Sequence, residues 1–224
     1  MIFGLGYTGL ATARAAGEAG WTVDATTRDT KGLRLCGVSH LLVTAPPGVD
    51  GDPCLGAHRA SIAAAHDLRW IGYLSTTGVY GDRRGGWVDE ATAPAPNSAR
   101  AQRRVQAEAD WSSFSGQVAL DIFRLAGIYG PGRSAFDDLR AGTARRIDRP
   151  GHAFGRIHRD DVAGAVLAAM AQTLLPGVRV LHGNDDLPAE STDVVAEAAR
   201  LLGVPAPPLI RFEDAALSPM GASF

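Results

Sequence analysis

Gly4, Gly6 and Gly9 open the chain with the spacing G-x-G-x-x-G. Chemistry at such a stretch is done by backbone and not by side chains. Gly4 allows a tight turn, Gly6 lets the main chain approach a pyrophosphate, and Gly9 lets a helix pack close to the preceding strand. Met1-Ile2-Phe3 reads as a short strand before the turn, and Leu10 to Ala16 as a helix after it. The N-terminus of that helix supplies free N–H groups and a positive dipole end, which puts Tyr7 and Thr8 among the cofactor contacts. A second chemical position lies about two dozen residues past the first glycine. NAD-binding proteins place a carboxylate there, on the ribose hydroxyls. Here the residue is Arg28, behind Thr26 and Thr27. A guanidinium beside hydroxyls suits a phosphate dianion, so the expected cofactor is NADP, with NAD as the other one the site could take because Asp29 follows. His158, Asp160 and Asp161 have residue types that bind metals or move protons. The simpler expectation is that Asp160 or Asp161 caps a helix and the histidine ends a strand, with no metal.

Composition limits the other readings. The chain has 224 residues and a formal net charge of −2, enough for one large domain and no argument for a nucleic-acid partner or an anionic membrane. Its two cysteines, Cys36 and Cys54, have no metal-ligand spacing and no disulfide framework, which fits a reducing cytoplasmic setting. No apolar run approaches a membrane span, and the chain begins on a strand where a signal peptide would have a basic then apolar run.

The elements that must hold these residues alternate in type. His40 to Ala45 reads as a buried strand closed by Pro46-Pro47, residues 55–68 as a helix, and Trp70 to Thr76 as a strand running into Thr77-Gly78-Val79-Tyr80-Gly81. A polar loop leads to a helix over about 98–114, capped by Ser98, and then Val118 to Leu125 is strand again. The pattern loosens afterwards, with short strands at 145–148, 155–158 and 178–182 and helices at about 160–170 and 191–202. Strands alternating with helices predict an α/β protein with a Rossmann-type, doubly wound parallel sheet. One domain over 1–224 is expected, with residues from about 133 contributing a small C-terminal substrate-side lobe.

Four stretches, in order, carry a resemblance: Gly4 to Gly9, Ser75-Thr76-Thr77-Gly78-Val79-Tyr80-Gly81, Arg124-Leu125-Ala126-Gly127-Ile128-Tyr129-Gly130-Pro131-Gly132, and Ile157 to Ala163. Together they resemble the extended short-chain dehydrogenase/reductases, the NAD-dependent epimerase/dehydratase group, over nearly the whole chain. The resemblance implies that Thr76 is the catalytic hydroxyl on the reacting carbonyl or alcohol oxygen. It also implies that Ser75, Leu125, Ala126 and Ile128 contact the cofactor near its nicotinamide. Ala45 and Pro46 are implied in the loop covering adenosine and pyrophosphate.

The departure from the family lies in the helix over 98–114. Its Tyr-x-x-x-Lys pair should stand eight and four residues before Glu108, and those positions are Arg100 and Arg104. An arginine stays protonated and has no acceptor, so Arg100 cannot replace the tyrosine. Arg104 is assigned the lysine-like role on the nicotinamide ribose. Tyr80, Tyr129 or a water on Thr76 and Thr77 are left as proton donors. Two functions follow: an atypical oxidoreductase, epimerase or dehydratase acting on a carbonyl or sugar-type small molecule, or an NADP(H)-binding sensor without turnover. A monomer or a homodimer is expected, the latter through the helices at 55–68 and 98–114, as in extended family members.

Overall fold

The computed structural model describes residues 1–27, 30, 32–172 and 175–215. The chain runs β1 (Ile2–Phe3), α1 (Tyr7–Glu18), β2 (Ala25–Thr26), β3 (His40–Val43), α2 (Pro53–Ala63), β4 (Trp70–Thr76), a 3-10 turn (Thr77–Tyr80), α3 (Ala99–Ser112) and β5 (Ala119–Leu125). It continues β6 (Gly127–Tyr129), α4 (Ala135–Arg140), β7 (Arg146–Asp148), β8 (Ala153–Phe154), β9 (Arg156–His158), α5 (Arg159–Met170), β10 (Gly177–Gly183), β11 (Ala189–Glu190), α6 (Ser191–Leu202) and β12 (Leu209–Arg211). Two compact units result, one of 1–82, 88–126 and 159–183, the other of 83–87, 127–158 and 184–224.

The first unit is built on a six-stranded sheet in the order β10-β5-β4-β3-β1-β2, with every pairing parallel. Its central strands are apolar on both faces, as parallel strands between helix layers must be. All seven residues of β5 and six of the seven in β4 are buried. Leu41, Val43, Ile71, Tyr73, Leu120 and Ile122 meet Ile62 of α2 and Trp111 of α3 in one core. Each such side chain contributes about 1.5–3 kcal/mol by leaving water. The doubly wound fold expected from the sequence is the one observed. From β1 the chain adds β2 on one side and then β3, β4, β5 and β10 on the other. The order therefore reverses between β1 and β3, and ligands of open α/β sheets bind outside the strand ends at such a point.

Capping residues set the helix boundaries. Asp52 caps α2, its Oδ1 accepting from the amides of Cys54 (2.9 Å) and Leu55 (3.0 Å), with Pro53 at the first helical position. The helix thus begins before residue 55, and it stops at Ala63. Ser98 caps α3 as expected, accepting from Ala101 at 3.2 Å. The cap expected at Asp160 or Asp161 is corrected: α5 starts at Arg159, directly after β9, and both carboxylates lie in its first turn. They favour the helix there through its dipole. Residues 159–183, read from sequence as part of the C-terminal lobe, form α5 and β10 of the first unit.

The second unit consists of three strand pairs, β6–β9 and β7–β12 parallel and β8–β11 antiparallel, with α4 packed on α6. Ser134 and Asp137 form a reciprocal capping box at the start of α4.

Candidate functional site

The reversal of strand order falls on the glycine turn. Gly4 has φ +99°, a backbone that L side chains rarely adopt, and a Cβ there would lie 2.9 Å from Thr44 Oγ1 and 3.1 Å from Ala45 N. A Cβ on Gly9 would come within 2.4 Å of the Gly4 carbonyl oxygen, so only glycine lets α1 approach β1 this closely. Gly6 differs from both, since a Cβ there meets nothing within 4 Å. It is the N-cap of α1 and has no side-chain cap, so the backbone is bare where an anion would approach. Neighbouring strands brace the turn from both sides. Gly4 N donates to Thr26 Oγ1 (3.1 Å), Leu5 N donates to the Thr26 carbonyl (2.8 Å), and the Thr44 hydroxyl donates to the Gly4 carbonyl. Gly4, Gly6, Tyr7, Thr8, Gly9, Ala45 and Pro46 therefore share one end of the sheet. Thr44 was not read from the sequence, although a hydroxyl at the end of the strand after the fingerprint is a visible signal. A further cation, Arg159 at the start of α5, lies 4.8 Å from the centre of the Tyr7 ring.

Arg28 lies outside the described residues. Of the two hydroxyls expected to assist it, Thr26 is buried and holds Gly4. Thr27 is exposed, and its amide and hydroxyl both meet Thr30 Oγ1, at 2.8 and 3.2 Å.

Around the ends of β4, β5 and β10 the chemistry is of another kind. Register places Ser75, Arg124 and His182 side by side, followed by Thr76, Leu125 and Gly183. Glu108 of α3 faces this row. It accepts from Ser75 Oγ at 2.5 Å and from Arg124 Nη2 at 2.7 Å, with both charged side chains only 7% exposed. Arg124 Nη1 donates to Tyr80 Oη at 2.7 Å. Tyr80 Oη also lies 3.0 Å from the Asp89 carbonyl and 2.5 Å from His182 Nε2. Burial pushes the Tyr80 phenol above its usual range, against the pull of Arg124. Ser75 thus turns its hydroxyl to Glu108, and the Tyr80 hydroxyl is enclosed by protein groups. Glu108, Arg124 and His182 were not assigned roles in this network from the sequence, because its pairs join residues far apart in the chain.

Thr76 is half-buried at the last position of β4, and its Oγ accepts from Gly78 N at 3.1 Å, which caps the 3-10 turn. Leu125 is buried, and Ala126 N donates to the Gly183 carbonyl at 2.9 Å. Arg100 is exposed on α3. Arg104 is buried, donates to the Leu74 carbonyl at 2.5 Å and lies over the Tyr73 ring. In the second unit, Ile128 and Tyr129 lie on β6 opposite Ile157 and His158. Tyr129 is 37% exposed, and its ring meets His158 edge-on at 5.2 Å. Among the described residues no group of three His, Cys, Asp or Glu side chains could hold a metal ion, and no helix is long and apolar enough to cross a membrane.

No family model matches the chain. It is 29% identical to the protein YeeZ of Escherichia coli K12, over 74% of this chain and 70% of that protein. A solved, functionally unknown conserved protein from Silicibacter pomeroyi DSS is 42% identical, covers 99% of this chain and 84% of its own, and superposes with a TM-score of 0.91. MoeE5 in complex with UDP-glucuronic acid and NAD gives 0.73 at 20% identity, over 94% of this chain and 83% of its own. The dTDP-glucose 4,6-dehydratase of Bacillus anthracis in complex with NAD gives 0.73 at 15% identity, with the same coverage. The chain belongs to the family of the Silicibacter pomeroyi protein, and it shares its fold with MoeE5 and the Bacillus anthracis dehydratase.

Proposed function

We propose that the chain binds a nicotinamide dinucleotide at the Gly4–Gly9 turn and acts as an oxidoreductase or epimerase on a carbonyl or sugar-type small molecule. The observation that carries this reading is the open, uncapped helix start at Gly6, placed where the strand order of the sheet reverses. Support comes from MoeE5 and the Bacillus anthracis dehydratase, which share the fold and were each solved with NAD.

In this reading the α1 amides at Tyr7 and Thr8 hold the pyrophosphate, and Ala45 and Pro46 cover the adenosine side. Leu125, Ala126 and Ile128 contact the nicotinamide. When bound, the dinucleotide supplies or accepts a hydride. Thr76 keeps a proton to donate while its oxygen accepts from Gly78 N, so it orients the oxygen of the reacting carbonyl or alcohol. Arg100 and Arg104 transfer no proton. The preference for NADP rests on Arg28, whose guanidinium would meet the 2′-phosphate. The protein acts as a monomer or as a homodimer paired through α2 and α3.

A second reading, an NADP(H)-binding sensor without turnover, is favoured by one feature, the arginines at both positions of the usual Tyr-Lys pair. Calorimetry with NADP, NADPH and NAD, followed by a carbonyl and sugar-nucleotide panel with NADPH or NADH, separates the readings. Binding with turnover supports the enzyme, binding without turnover the sensor, and no binding by wild type sinks both.

A further inference from the structure

Arg159 is a cation at the end of a helix where cations are unfavourable. It is the first residue of α5, and the positive end of a helix dipole repels a guanidinium. Asp160 and Asp161 follow it in the same turn and lessen that repulsion. Asp160 takes one donor, Arg159 Nε meeting its Oδ1 at 3.1 Å. The Asp160 side chain is 60% exposed, so water screens this pair and it holds the arginine weakly. The Arg159 side chain is only 19% exposed, and its Cζ lies over the Tyr7 ring, 4.8 Å from the ring centre. Among the described residues Nη1 and Nη2 find no acceptor, and neither is sealed from solvent. Stacking on a ring leaves the in-plane N–H donors available, so the forked edge of this guanidinium is open.

Two helices bring that edge to the glycine turn. Tyr7 is the first residue of α1, directly after the bare N-cap Gly6. Helix α5 packs on α1, and the two run the same way. At their far ends Ala16 of α1 and Met170 of α5 line one cavity, and the Met170 carbonyl lies 3.2 Å from His40 Nε2, at the start of β3. Arg159 therefore stands at the opposite edge of the sheet, where β1 and β3 end and the glycine turn begins.

We propose that Arg159 is a phosphate-binding residue of the dinucleotide site, its Nη groups donating to the pyrophosphate that the α1 amides also hold. The proposal rests on the dinucleotide reading above. Helix amides offer partial charges. A guanidinium adds a full charge, in the forked geometry that suits phosphate oxygens. A bound anion also relieves the conflict between Arg159 and the α5 dipole. The pyrophosphate is common to NAD and NADP, so Arg159 adds affinity for both and selects neither, in contrast to the role of Arg28. The Tyr7 ring is a positioning group that acts through the arginine.

The test is calorimetry of wild type and Arg159→Met with NADPH, NADH and ADP-ribose, which keeps the pyrophosphate and lacks the nicotinamide. Arg159→Met should keep the wild-type melting temperature and weaken all three by one common factor, about 10- to 100-fold. Its affinity should also depend less on salt than that of wild type. Arg159→Gln, polar and uncharged, should show the same loss and decides the matter if Arg159→Met fails to fold. Tyr7→Leu should weaken wild type but add little on the Arg159→Met background, and additive losses would deny the ring its positioning role. Unchanged affinity for all three compounds overturns the proposal and leaves the dinucleotide reading intact. A loss confined to NADPH overturns it too, because the arginine would then serve the 2′-phosphate. If wild type binds none of the three, the proposal and the dinucleotide reading fall together.

Discussion

The two ends of the working edge of the sheet are made in opposite ways. Beside β1 and β3 the protein presents bare backbone: three glycines, an uncapped helix start and two threonines that hold the turn from behind. Beside β4, β5 and β10 it presents side chains wired to each other, Ser75 to Glu108, Glu108 to Arg124, Arg124 to Tyr80 and Tyr80 to His182. The first arrangement binds a ligand by what it lacks. The second holds residues in place by pairing buried charges, and its cost of desolvation is offset only while every member is present. Substitutions should therefore separate the two ends, one changing binding with little change in stability, the other changing stability first.

The largest effect is expected on the wired side. Glu108→Ala leaves the Arg124 guanidinium buried without its carboxylate, which typically costs about 3–5 kcal/mol. Urea unfolding should show that loss, and a loss under about 1 kcal/mol would mean the pair behaves as a surface bridge. Gly6→Val comes next. Its side chain enters open space, so the melting temperature should stay near wild type, while NADPH affinity falls by about 100-fold or ~2.7 kcal/mol. Equal affinity would remove the pyrophosphate from this turn. Thr76→Val should leave NADPH binding unchanged and lower turnover about 100-fold, the usual loss for one donor on a reacting oxygen. If Arg100→Ala abolishes turnover and Thr76→Val spares it, the chemistry belongs to α3. The smallest effect belongs to Arg28→Ala. It should cost about 1.5–3 kcal/mol in NADP affinity and little for NAD, and equal wild-type affinity for the two cofactors would contradict the preference.

The same contrast explains what the sequence disclosed. The glycine turn is local, so its spacing could be read directly, and the long buried strands β4 and β5 announced themselves as apolar runs. Ser98 was legible as a cap because a helix-forming run follows it at once. Asp52 was missed although it was legible, since an Asp cap followed by Pro at the first helical position is a local helix-start signal. The wired cluster could not be read, because its partners are brought together by register. Arg124 is 16 residues from Glu108, and Tyr80 is 102 from His182. Nothing in the local pattern around His182 sets it apart from any polar residue ending a strand. The row Ser75, Arg124, His182 exists only once three strands have paired.

The first unit does not close on itself along the chain: β5 ends at Leu125, and its outer neighbour β10 is complete only at Gly183. During synthesis, at about 5–20 residues per second, roughly 3–12 s separate the two. For that interval β5 is an open sheet edge, the kind of surface that recruits foreign strands. Asp121, fully buried in β5, must also wait for Arg179 of β10, which meets it at 2.8 Å. Nascent chains halted before residue 177 should therefore be protease-sensitive and prone to aggregate, and those extended past 183 should not. A ribosome-bound length series with a protease pulse would locate the transition, which on this account follows the arrival of a single edge strand and not the length of chain made.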